Sequence, residues 1–170
     1  LSLLYSGIFK KKIIIDIFTL GILYTLRIIG GSFATEIVMS LWLFAFSIFL
    51  FLSLAAVKRL SELINLKERN VFKIEGRGYN LDDLPIVRIL AIFFGFISMV
   101  IIAFYINSPN ILELYSKPLT LLGMFLTLTF WLIRIIFLSN NGKIKGDPII
   151  YALRDNISRI CFLIILSLFI

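Results

Sequence analysis

The sequence predicts an all-α, polytopic transmembrane helix bundle with about five spans. Three observations carry that expectation. Hydrophobic residues make up 60% of the 170-residue chain, against about 45–50% in soluble domains, and the mean hydropathy is +1.02. The apolar residues fall into five runs, four of them close to the ~20 residues that cross a bilayer as a helix and the last looking cut short. The charge, 17 Lys and Arg against 10 Asp and Glu, gathers at the ends of those runs. Basic residues there meet anionic headgroups and fix orientation. That placement points to a membrane and away from nucleic acid.

The runs are expected at Ile13–Ile29, Ser40–Val57, Leu84–Ile106 and Pro118–Leu138, with a fifth from near Ile157 that is still apolar at Ile170. Gly30-Gly31-Ser32 is expected to end the first span. Lys58 and Arg59 are expected to end the second at the membrane surface. Pro85 suits the first turn of the third, where a missing N–H costs nothing. Asn107-Ser108-Pro109-Asn110 is a turn cluster, Pro118 opens the fourth span, and Asn140-Asn141-Gly142 closes it.

Charge alternation sets the topology. Lys10, Lys11 and Lys12 precede the first span. Lys58, Arg59, Lys67, Arg69, Lys73 and Arg77 follow the second, and Lys143, Lys145, Arg154 and Arg159 follow the fourth. The segment between the first two spans has no Lys or Arg, and the one between the third and fourth has only Lys117. The positive-inside rule makes the basic segments cytoplasmic, so function is expected on that face. Residues 1–170 read as one polytopic domain. The first residue is Leu1, and the chain is expected to be a fragment lacking an N-terminal portion. The single cysteine, Cys161, excludes a disulfide scaffold within the chain, and the lack of histidine excludes His ligands and a His base from it.

The residues that can carry chemistry cluster at the basic face. Tyr5, Lys10, Lys11 and Lys12 stand at headgroup level, where an ammonium neutralises a phosphate and a phenol hydrogen-bonds it, or where lysines simply hold orientation. Asp16 lies one turn into the first span and is costly there unless paired or hydrated. Arg27, eleven residues on, lies about three turns and roughly 16 Å away. Both are expected to face the bundle interior, with Thr19 near and Tyr24 flanking. Lys58 and Glu62 are four apart, a spacing that suits a surface ion pair or a phosphate site. Arg77 sits between Gly76 and Gly78, where backbone approaches closely and a guanidinium can clamp phosphate. Asp82 and Asp83 have two readings: oxygen ligands for Mg²⁺, or acidic residues at a helix N-terminus. Arg88 and Arg134 can snorkel to the same surface. Three basic clusters on one face suit a lipid with a phosphate head, its tail in the bundle.

The run Tyr5-Ser6, Phe9-Lys10-Lys11, Asp16 and Leu23-Tyr24-Thr25-Leu26-Arg27-Ile28-Ile29-Gly30-Gly31 resembles a branch of the UbiA prenyltransferase superfamily. So do Phe49-Leu50-Phe51-Leu52-Ser53-Leu54 leading to Val57-Lys58-Arg59 and Glu62-Leu63, and Gly76-Arg77-Gly78-Tyr79. Tyr105-Ile106-Asn107-Ser108 and Asp147-Pro148 through Ala152-Leu153-Arg154-Asp155 complete the likeness. The branch is similar to decaprenyl-phosphate phosphoribosyltransferases and includes bacterial proteins fused to a haloacid-dehalogenase-like phosphatase domain. The resemblance implies a nine-span bundle of which these helices are the last five. It also implies Mg²⁺ gripping a diphosphate leaving group, with its main ligands upstream of Leu1. In aromatic prenyltransferases of the family a second aspartate-rich motif falls at the end of the second span. Here Lys58, Arg59 and Glu62 stand in its place, which suits an anionic second substrate or a phosphate acceptor.

The expected function is therefore that of an integral membrane UbiA-family prenyltransferase acting on a polyprenyl phosphate or diphosphate, with Mg²⁺-dependent diphosphate departure. The fragment by itself is expected to be inactive. The expected binding residues are Tyr5, Lys10, Asp16, Lys58, Arg59, Glu62 and Arg77. Two alternatives stand beside it. One is a polyprenyl-phosphate phosphoribosyltransferase. The other is a transporter, with Asp16 and Arg27 marking an ion path, or a membrane anchor for a fused soluble domain.

Overall fold

The computed structural model describes residues 13–36, 40–69, 80–108 and 118–169. They form helices α1 (Ile13–Thr35), α2 (Leu41–Glu68), α3 (Leu84–Ile106), α4 (Pro118–Asn140), α5 (Pro148–Arg154) and α6 (Asn156–Phe169), with a 3₁₀ turn at Leu81–Asp83 before α3. The polytopic all-α bundle is as expected. α1, α2, α3 with its leading turn, and α4 are each long and apolar enough to span a bilayer. Four of the five expected runs form such helices, and the fifth forms the shorter α6, whose 14 residues rise roughly 21 Å.

α2 is the central element and packs against α1, α3 and α4. Its residues Leu52, Ala55, Ala56, Val57, Leu60 and Leu63 are buried, meeting Ile17 and Leu20 of α1, Val87 and Ala91 of α3, and Leu132 and Ile135 of α4 in one core. Small residues let the backbones approach. A Cβ built on Gly21 would lie 2.7 Å from Leu52 Cδ2 and 3.3 Å from the Leu52 Cα. Ser53 Oγ donates to the Ala91 carbonyl at 2.8 Å, and Ser139 Oγ donates to the Val57 carbonyl at 3.2 Å, pinning α3 and α4 to α2. Large apolar side chains such as Phe33, Ile89, Phe96, Ile133 and Phe137 point outward. Such a surface suits lipid, and water would make it costly.

Two helix ends differ from expectation. α1 runs through Gly30-Gly31-Ser32 to Thr35, and Glu36 follows with a left-handed φ of 55°. A helical glycine costs about 1 kcal/mol, less than the backbone hydrogen bonds that leaving the helix would forfeit in hydrocarbon. α2 continues beyond Lys58 and Arg59 to Glu68, because both cations have carboxylate partners. Its 28 residues rise roughly 42 Å, more than the ~30 Å hydrocarbon core, so its last turns overhang. α3 begins and ends as expected, with Pro85 in its first turn. α4 ends two residues beyond expectation, and Gly142 turns the chain with φ 68°. The loop after it is tied to α2 by Asn65 Nδ2, which donates to Ile144 O at 3.3 Å, and by Ser61 Oγ, which donates to Gly146 O at 3.3 Å.

Candidate functional site

The start of α1, the end of α2 and the α4–α5 segment meet at one end of the bundle. α1 and α2 run antiparallel in matched register. Tyr24 stacks on Phe51 at 5.6 Å, and eight residues along each helix Asp16 meets Arg59. Both charges are buried, Asp16 at 0% and Arg59 at 1% exposure. Arg59 Nε and Nη2 face the Asp16 carboxylate, Nη2 donating to Oδ1 at 3.2 Å. Its Nη1 donates to Glu62 Oε1 and Oε2 at 2.7 and 2.6 Å. One guanidinium thus holds two carboxylates, and this pairing makes buried charge tolerable in an apolar bundle.

A second pair lies beside it. Lys58 Nζ donates to Asp147 Oδ2 at 2.6 Å, and Tyr24 OH approaches the same oxygen at 3.4 Å. Asp147 Oδ1 accepts the Ile149 N–H at 2.9 Å, which caps α5. Burial alone would raise the Asp147 carboxyl, but the bonds from Lys58 and Ile149 outweigh it and hold it below the usual range. A third pair closes the far side. Arg134 makes a fork to Asp155 at 2.6 and 3.0 Å, and the Ser158 N–H and Oγ each donate to Asp155 Oδ2 at 2.8 Å. The Arg134 bond, chiefly, and those from Ser158 hold the Asp155 carboxyl at about 2, against burial.

Next to these pairs is an apolar chamber of about 330 Å³. Phe51 and Leu54 of α2, Leu128 and Trp131 of α4, Ile149, Ala152 and Leu153 of α5, and Cys161, Phe162 and Ile165 of α6 form its walls, with Ser158 and Arg159 on its rim. α5 is therefore both a wall of the chamber and the helix capped by the carboxylate that Lys58 holds.

Of the residues expected at a site, Asp16, Arg59 and Glu62 come together, with Lys58 beside them. Tyr5, Lys10 and Arg77 lie outside the described residues. Arg27 does not face the bundle interior. It is exposed, with its guanidinium 5.5 Å from the Tyr24 ring. The buried stripe of α1 runs through Ile17, Leu20, Gly21 and Thr25. Asp16 and Arg27 lie on its edge, and at the Asp16 level α2 supplies a partner. Glu62 pairs with Arg59, and Lys58 pairs with Asp147. Asp83 is a capping residue, its carboxylate accepting the Asn80 N–H at 2.9 Å, while Asp82 is exposed.

The implied Mg²⁺ would need oxygen ligands that converge and are free of other cations. Among the described residues no three of His, Cys, Asp and Glu converge. Asp16, Glu62, Asp147 and Asp155 each face a cation. The described residues do not by themselves fit a divalent-metal site.

Asp147 and Asp155 are the site residues that spacing did not reveal. Asp147 had one local signal, an Asp before Pro, the pattern of an N-cap followed by the first helical position. Its partners lie 89 and 123 residues away. Asp155 lies 21 residues from Arg134, with no periodicity linking them.

The chain is similar to two rhizobial proteins. It is 30% identical over 163 residues to the nodulation protein NoeC of Azorhizobium caulinodans, a match covering 96% of this chain and 53% of that protein. It is 34% identical over 171 residues to the uncharacterized protein y4nM of Sinorhizobium fredii, covering 100% of this chain and 33% of that protein. The chain thus spans about half of one relative and a third of the other. No protein-family model matches it, and no solved structure does.

Proposed function

We propose that this chain is part of a UbiA-like membrane transferase that acts on a polyprenyl phosphate or diphosphate at the cytoplasmic face. The observation that carries the reading is the juxtaposition of the charged pairs with the apolar chamber. Residues far apart in the chain meet there: Asp16 with Arg59 and Lys58 with Asp147, all four in motifs that carry the resemblance, and Asp155 of the last such motif with Arg134. The chamber suits an isoprenoid segment. Lys58, part-exposed beside Asp147, suits a phosphate oxygen that exchanges with the Oδ2 it now holds. Arg59, buried against two carboxylates, is a positioning residue that fixes the α1–α2 register.

Prenyl transfer is the leading reaction. The diphosphate departs from an allylic carbon with its bonding electron pair, and the acceptor's nucleophile forms the new bond. Phosphoribosyl transfer is the second reading, favoured by Lys58 and Arg59 standing where the aromatic prenyltransferases carry aspartates. There a lipid phosphate oxygen attacks the anomeric carbon and the diphosphate leaves. Either reaction gathers negative charge at the leaving group and is served by a nearby cation.

The test is product analysis of the full-length protein in proteoliposomes. One arm supplies an allylic prenyl diphosphate with an aromatic acceptor. The other supplies phosphoribosyl diphosphate with a polyprenyl phosphate. A prenylated acceptor supports the first reading and a phosphoribosylated lipid the second. Absence of both products, with proton-coupled solute uptake in the same vesicles, would replace the transferase by a transporter.

A further inference from the structure

Between α3 and α4 lies a different feature. An apolar groove of about 630 Å³ runs between them, bordered by Ile92, Phe96, Met99 and Ala103 on α3 and by Thr129 and Ile133 on α4. From Arg88 to Ala103 it follows α3 for roughly 22 Å. The groove opens to the side of the bundle, where Ile92, Phe96, Ile133 and Phe137 are exposed. At its inner end it meets a second, polar hollow of about 440 Å³, lined by Ile64, Lys67, Glu68, Leu84 and Asn141. Arg88 and Asn140 belong to both.

Arg88 differs from the cations of the candidate site. Arg59 and Arg134 pair with carboxylates. Arg88 pairs with none among the described residues, and its buried Nε has no hydrogen-bond partner. Glu68 stands across the hollow, its carboxylate packed against Gly142, while Lys67 adds a second positive charge. A cation that forms no ion pair among the described residues, at the junction of a polar pocket and a lipid-facing groove, calls for an anion that brings its own hydrocarbon.

We infer that the α3–α4 groove binds an anionic bilayer phospholipid, its phosphate at Arg88 and Lys67 and one acyl chain along Ile92, Phe96 and Met99. Bilayer lipid is the occupant because the groove opens to the side of the bundle at Ile92, Phe96, Ile133 and Phe137, ends at a cation that forms no ion pair among the described residues, and shares no lining residue with the chamber. Binding here is independent of the transferase reading, and it is read without turnover.

The experiment is native mass spectrometry of the purified full-length protein after graded delipidation, supplied with phosphatidylglycerol or phosphatidylcholine of equal chain length. The wild type should retain phosphatidylglycerol in preference. Arg88→Gln should lower that preference about five- to tenfold, as expected for losing an interfacial charge and its charge-assisted hydrogen bonds. Arg88→Lys should restore part of it, which separates lost charge from misfolding. Arg154→Gln, an exposed cation outside the groove, should leave it unchanged. Equal retention of the two lipids, or an unaltered preference in Arg88→Gln, would overturn the inference. So would an Arg154→Gln effect as large as that of Arg88→Gln, or displacement of phosphatidylglycerol by equimolar polyprenyl phosphate.

Discussion

The two flanks of α2 handle charge in opposite ways. On the chamber flank, where α1, α4, α5 and α6 converge, three cations meet four carboxylates in pairs that fix helix positions. On the groove flank, between α3 and α4, Arg88 stands at the end of an apolar groove with no carboxylate paired to it among the described residues. The contrast teaches how a charge in an apolar bundle divides its work. A paired ion gives register, since removing one partner strands the other in a medium that solvates it poorly. An unpaired one gives little to the fold and is left for whatever arrives from outside.

Four measurements break or sharpen that contrast. The largest effect is expected from Arg59→Gln, which strands Asp16 and weakens the hold on Glu62. Unfolding in mixed micelles should show a loss of about 3–5 kcal/mol. A loss below about 1 kcal/mol would mean that the triad does not fix the α1–α2 register. Arg134→Gln should cost less, about 1.5–3 kcal/mol, because Asp155 keeps its bonds from Ser158; the same unfolding assay checks the order.

Acid should act on the same flank. The Asp155 carboxyl is lowered from 3.8 to about 2 in the folded protein. A lowered folded value means that the stabilisation is fully present above about pH 4 and is lost as pH falls through about 2. Melting temperatures recorded from pH 6 to pH 2 should fall steeply in that window, and Asp155→Asn should flatten the fall. An unchanged slope in Asp155→Asn would assign the acid sensitivity elsewhere, first to Asp147. The smallest effect is expected from Arg88→Gln, within about 0.5 kcal/mol in delipidated protein. A loss as large as that of Arg134→Gln would give Arg88 a structural partner and erase the contrast between the flanks.

How much the sequence told depended on whether the deciding interaction was local. The bounds of α3 were legible because Asp83, Pro85 and Asn107 act within a turn of the helix they bound. The end of α2 was not, because the fate of Lys58 and Arg59 rests on Asp147 and Asp16, 89 and 43 residues away. Gly30 and Gly31 look like a stop by propensity alone. Hydrocarbon leaves their backbone groups no alternative partner, and α1 continues. Asp16 was legible as a residue in need of a partner. Which cation supplies it was not, since several basic residues lie at the same end of the bundle.

The Asp147 carboxylate has a mechanical consequence. Oδ1 takes the Ile149 N–H and keeps α5 wound, while Oδ2 takes Lys58 and Tyr24 and fastens α5 to the α1–α2 pair. Winding and fastening are therefore uncoupled, one oxygen to each. An anion that draws Lys58 away removes one tie of α5 without unwinding it, and the bond of Ser61 to Gly146 and the fork of Arg134 on Asp155 still hold that wall of the chamber in place.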